Sequence, residues 1–206
     1  RRLCISDMCM AYVVLVTRLI RLPFLVLTPA CVLLAIALAS YHQVEFSTFY
    51  ALIALIGALA AHIGVNTINE YQDFKSGLDF KTKQTAFSGG SGLLPKSPHL
   101  AQTVYLVSVV SIFVTIIVGC YFIHLHGWAL LPLGIVGLFI VIAYTRWINK
   151  AAILCLISPG LGFGILIIGG SYFCITGSYN NSRWLVTIIP FPVSYNNLTL
   201  PTKRNV

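Results

Sequence analysis

Acidic side chains are almost absent from this sequence. Asp7, Glu45, Glu70, Asp73 and Asp79 are the five, and residues 80 to 206 carry none. Charged residues of both signs make up only 9% of the 206, whereas a soluble globular chain has about 25%. So few polar groups cannot cover a surface facing water, which excludes an ordinary soluble domain. The six cysteines (Cys4, Cys9, Cys31, Cys120, Cys155 and Cys174) form no CxxC pair, so neither a zinc site nor a redox dithiol is supported. They mostly lie within apolar runs and read as small packing residues. A nucleotide-binding glycine loop is excluded too. Gly160, Gly162 and Gly164 sit in an apolar run with no strand before them, and Gly160 with Gly164 reads as a GxxxG helix-packing pair.

What is present in excess is apolar: 58% hydrophobic residues and a mean hydropathy of +0.89. Lipid is the matching solvent, and there a helix satisfies its own backbone. A span needs about 20 apolar residues. Candidates are residues 12–40, 46–71, 100–123, 128–148 and 151–177, with a weaker sixth at 184–200. Pro23 and Pro29 predict that the first span is kinked or begins near Pro23. The basic start Arg1-Arg2 resembles a signal sequence, but the apolar stretch that follows is too long for a cleaved one. The lack of an initial Met implies that the chain begins after its natural start. The fold expected is all-α: a polytopic transmembrane bundle of five or six spans, one domain over 10–200, with a polar tail at 201–206.

The net charge of +8 could suggest nucleic acid, but the basic residues are confined to gaps between apolar runs. They read as topology instead. With the N-terminus cytoplasmic, twelve of the thirteen Lys and Arg fall on one side and only Arg183 on the other. That is the positive-inside pattern, and it puts the N-terminus and the 72–99 connection in the cytoplasm. His124 and His126 then form an interfacial turn on the outer face. No nucleic-acid partner is expected.

The second span ends in the chemistry. His62, Asn66, Asn69 and Asp73 recur at steps of four, three and four, so they share one helical face. Ionisable groups are costly inside a membrane and usually face a cavity or a partner. Gly77 offers a helix end from which Asp79 could fold back toward Asp73. An asparagine and two carboxylates at a wet helix end form a hard-oxygen site suited to Mg2+, especially with phosphate completing the shell. Lys81 and Lys83 could neutralise that phosphate, and the run from Ser88 to Gly92 could offer backbone N–H groups to it. The plainer alternative is a solvated juxtamembrane loop whose lysines meet acidic lipid headgroups.

Residues 66–95, NTINEYQDFKSGLDFKTKQTAFSGGSGLLP, resemble the first aspartate-rich motif and following loop of the UbiA-type prenyltransferases. The similarity is to the branch that includes 1,4-dihydroxy-2-naphthoate prenyltransferases. Residues 143–177 are similar to the fourth-to-fifth helix region of bacterial members, and RLIRLPF, residues 18–24, to the first-helix start. The resemblance implies an intramembrane enzyme, usually of nine helices, in the inner membrane of a bacterium. It would transfer an isoprenoid from a prenyl diphosphate to a lipophilic aromatic acceptor, such as a quinone precursor. It assigns Asn69, Asp73 and Asp79 to Mg2+, with Asp73, Asp79 and Lys81 catalytic. It assigns Arg21, Asn66, Lys81, Lys83, Tyr144 and Lys150 to substrate. Magnesium and lysine would stabilise the departing diphosphate, and aromatic faces among the 25 Phe, Tyr and Trp would shelter the allylic cation.

One departure matters. The family has a second aspartate-rich motif on its sixth helix, and this chain has no acid there. Asn196 and Asn197 approach that place before the TKRNV tail. A C-terminally incomplete enzyme is therefore expected, with helices seven to nine missing and activity in doubt. A non-catalytic remnant and a small membrane transporter, its polar stripe lining a path, are the alternatives.

Overall fold

The computed structural model describes residue 17 and residues 19–80, 91–146 and 160–179, and the fold below is that of these residues. Helix α1 (Leu22–Leu25) and helix α2 (Leu27–Tyr41) lead into the long helix α3 (Thr48–Ser76). A 3-10 turn follows at Leu78–Phe80. A short helix α4 (Leu93–Lys96) precedes a second turn at Pro98–Leu100 and the long helix α5 (Ala101–His126). Helix α6 (Leu131–Arg146) comes next, then a π-helical stretch at Leu161–Gly169 continued by α7 (Gly170–Thr176). No strand occurs among the described residues.

Two helices, Thr48–Ser76 and Pro98–His126, are long and apolar enough to cross a membrane. Each has 29 residues, which at 1.5 Å per residue exceeds a hydrocarbon core of about 30 Å. Of their most apolar stretches, only 28% and 17% are buried inside the protein. The outer face of α5 shows what the rest meets. Leu106, Val110, Phe113 and Ile117, spaced along one face, are each more than half exposed. In water such a stripe would be an aggregation surface; in lipid it is solvated. The chain is an integral membrane protein.

The remaining expected spans resolve into shorter apolar helices: Leu27–Tyr41, Trp128–Val141 and Leu161–Thr176. Pro23 sits in the first turn of α1, where a missing N–H costs nothing, so the helix starts there as its position in the sequence predicts. The second span runs five residues beyond its expected end, because Asn69 to Ser76 stay helical until Gly77 stops them. The sixth expected span, the 201–206 tail and the first residues of the first and fifth spans lie outside the described residues.

Small residues set the packing. Helices α3 and α5 run antiparallel, with Tyr50 beside Phe122, Gly57 against Val118, Gly64 against Ile112 and Tyr71 beside Tyr105. A Cβ on Gly57 would lie 2.7 Å from Val118 Cγ1, so the helices are as close as a glycine allows. Cys31, Ala35, Ala39 and Ala51 let α2 and α3 meet the π-helical stretch and α7 through Ile168, Tyr172 and Ile175. Gly164 is buried there, in keeping with a packing glycine.

Candidate functional site

The polar residues of α3 divide along the helix. One buried residue lies deep in the bundle: His62, whose Nδ1 shares a 2.6 Å hydrogen bond with Thr28 Oγ1 of α2 and whose ring meets Phe163 edge-on. One turn on, Asn66 Nδ2 donates to the carbonyl of Ile20 at 3.4 Å, tying α3 to the segment just before α1. Asn69 Nδ2 donates to Asp73 Oδ2 at 3.2 Å. Three turns separate His62 from Asp73, so the stripe is one face but not one site.

Asp79 reaches the site through backbone geometry. Gly77 has φ 74°, and its N–H bonds the carbonyl of Phe74 as α3 closes. Such a conformation favours glycine at a helix end. The chain then turns through Leu78–Phe80 and returns Asp79 to the protein, where it is 7% exposed. Glu70, Asp73 and Arg21 all act on its charge. Burial, then the Glu70 and Asp73 carboxylates, push its carboxyl up to about 6, against the opposing pull of Arg21. Its Oδ2 is buried with no hydrogen-bond partner among the described residues. The fold-back expected from Gly77 is what the structure contains.

Glu70, which carries no role in the motif, completes the cluster together with Arg21. Glu70, 1% exposed, pairs with Arg21 Nη2 at 3.5 Å. Its Oε2 also accepts from the Ser91 backbone N–H at 2.9 Å, and its Oε1 accepts a short bond from Ser91 Oγ. A signal was present: Asn66, Glu70 and Asp73 are spaced by four and three, an equally good helical face. Arg21 pays for its place with a left-handed backbone (φ 51°, ψ 55°), a cost of roughly 1–2 kcal/mol for a non-glycine residue. Leu19, Leu93, Leu94 and Val104 form an apolar cluster from the same segments, with Tyr71 and Phe74 packed on it.

The acids therefore play unequal parts. Among the described residues, no group of three or more His, Cys, Asp or Glu side chains gathers as a metal centre. The geometry gives the reason: Glu70 is turned to Arg21 and Ser91, leaving Asp73 and Asp79. Two carboxylates and the Asn69 amide are hard oxygen donors of the kind Mg2+ takes, and a buried carboxylate oxygen without a donor fits a cation. Lys81 and Lys83, Lys150 and the glycine run before Ser91 lie outside the described residues. Tyr144 lies on α6, with its side chain outside the description.

Among the described residues the protein is a helical membrane bundle that gathers Asn69, Asp73 and Asp79 at the end of α3, within the field of Arg21 from the segment before α1. The chain belongs to the UbiA prenyltransferase family, whose model matches residues 10–200. It is similar to the 1,4-dihydroxy-2-naphthoate octaprenyltransferase of Bacillus subtilis (strain 168), with 30% identity over 164 residues. That alignment covers 76% of this chain and 50% of the relative, so the chain spans about half the length of the curated relative it matches. No solved structure matches.

Proposed function

We propose that this chain binds a prenyl diphosphate at the carboxylate-bearing end of α3, for transfer of the prenyl group to a lipophilic aromatic acceptor of the quinone-precursor kind. The carrying observation is the return of Asp79 to the neighbourhood of Asp73 with one oxygen unpartnered among the described residues, in a chain of this family. Asn69, Asp73 and Asp79 would hold Mg2+, which when bound neutralises diphosphate oxygens as the allylic C–O bond breaks.

The protein's own groups do the rest. Arg21 carries more N–H donors than its bond to Glu70 uses, and its side chain is 25% exposed. Those spare donors support a role for Arg21 in meeting phosphate oxygens. Lys81 follows Asp79 by two residues and Lys83 by four, and the family resemblance assigns both to the same anion. Asn66, Tyr144 and Lys150 carry substrate roles on that resemblance alone. In the transfer, the C–O electron pair leaves with the diphosphate. An aromatic carbon of the acceptor supplies the pair for the new C–C bond, and that carbon then loses its proton. The apolar bundle keeps water from the cation. The basic residues favour an orientation with the N-terminus and the 72–99 connection in the cytoplasm, and the bacterial inner membrane is assigned on the family resemblance alone.

The test is equilibrium binding of farnesyl diphosphate to the detergent-solubilised chain, with and without Mg2+. Binding is expected to require Mg2+ and to weaken by about 10- to 100-fold or more in Asp73→Ala, since even outer partners of a metal ligand are worth that much. Affinity indifferent to both would sink the reading. A second reading, diphosphate binding without turnover, is favoured by the absence of any acid in residues 80 to 206. Mg2+-dependent binding without prenylated product, on incubation with 1,4-dihydroxy-2-naphthoate, would select it.

A further inference from the structure

We infer that Glu70 is a positioning residue that locks Arg21 and the Ser91 segment onto α3, and is not a ligand of the metal ion. The inference rests on the proposed prenyl diphosphate reading and assigns that site a part which the motif does not contain.

Both Glu70 oxygens are engaged. Oε1 takes the Ser91 hydroxyl, and Oε2 takes the Ser91 N–H at 2.9 Å and Arg21 Nη2 at 3.5 Å. With the side chain 1% exposed, a cation could reach these oxygens only by breaking protein bonds. Asp79 is the opposite case, with a buried oxygen that no described residue donates to. The two acids are therefore specialised by their partners rather than by their type.

Both partners of Glu70 are anchored again through their neighbours. Asn66 fixes the carbonyl of Ile20, next to Arg21. Ser91 Oγ accepts from the N–H of Leu93, so the residue that grips Glu70 also starts helix α4. Leu93 and Leu94 then bury against Leu19 and Val104. Arg21 is thereby kept where both Asp73 and Asp79 feel its charge. A charge-assisted bond in a buried setting orients strongly, and removing one partner strands the other.

Glu70→Gln keeps an oxygen for Ser91 but loses the charge that holds Arg21. It is expected to weaken Mg2+-dependent farnesyl diphosphate binding by about 10- to 100-fold, the worth of one hydrogen bond to a charged group. Binding of Mn2+ alone, followed by electron paramagnetic resonance, should not change, whereas Asp73→Asn should abolish it. Glu70→Asp, which retains the charge, should recover part of the diphosphate affinity. Ser91→Ala should speed amide hydrogen exchange across Leu93–Lys96 without altering the middle of α5. Loss of Mn2+ binding in Glu70→Gln would make Glu70 a ligand and overturn the inference. Unchanged diphosphate affinity in Glu70→Gln, or unchanged exchange in Ser91→Ala, would also overturn it. Should the unaltered chain bind neither Mn2+ nor farnesyl diphosphate, the prenyl diphosphate reading falls by itself. The exchange experiment then decides whether the lock exists.

Discussion

The two ends of α3 solve opposite problems. At its first turns, Tyr50, Ile53 and Ala54 pack with Phe122, Leu130, Phe173 and Cys174 in a cluster that is almost wholly apolar. A polar exception is His126, whose Nε2–H donates to the Cys174 carbonyl at 3.0 Å while its ring stacks on Phe122 and meets Tyr50 and Phe173 edge-on. Because a carbonyl can only accept, this bond also sets the His126 tautomer. At the other end, three carboxylates crowd Arg21, and an oxygen of Asp79 is left without a donor among the described residues. One end is close-packed for stability. The other, among the described residues, gathers more acids than bases, the pattern expected where stability is given up for a ligand.

That contrast can be broken by substitution. The largest effect should come from the close-packed end. Gly57→Leu must displace Val118, a stiff β-branched side chain whose Cγ1 would sit 2.7 Å from the new Cβ. Thermal unfolding in detergent should show a loss of about 1–3 kcal/mol. Gly119→Ala, with nothing within 4 Å, is the control and should not destabilise. Next is His126→Leu, which strands the Cys174 carbonyl and should cost about 1–2 kcal/mol in the same assay. If it costs nothing, the histidine is incidental to that end.

The smallest effect has the opposite sign. Asp79 has its carboxyl raised to about 6 in the folded protein, above its ordinary value near 4 when unfolded. Between these values the folded state holds more protons than the unfolded one. Its ion-free stability should therefore fall as pH rises from 4 to 6 and stay lower above. Asp79→Asn should remove that dependence and stabilise the ion-free protein at pH 7 by on the order of 1 kcal/mol, after allowance for solvent screening. A destabilised Asp79→Asn would erase the difference between the two ends.

Much of this was legible in one dimension. The apolar runs are long because lipid demands it, so helices α3 and α5 stand out by length and composition alone. Gly77 could be read as a stop, since few other residues close a helix left-handed. Glu70 was harder. On the helix it sits beside Asn69 in sequence and is as acidic as Asp73, and helical spacing admits it to a polar face as readily as its neighbours.

The sequence by itself determined that the chain lives in a membrane, that it is helical, and which short segment concentrates its acid, because composition and periodicity act locally. Only the tertiary structure decided which acid is satisfied and which is not. Ser91 lies 21 residues beyond Glu70, and Arg21 lies 49 before it. The choice between a locked carboxylate and one available to an ion depends on groups that meet only when the helices pack.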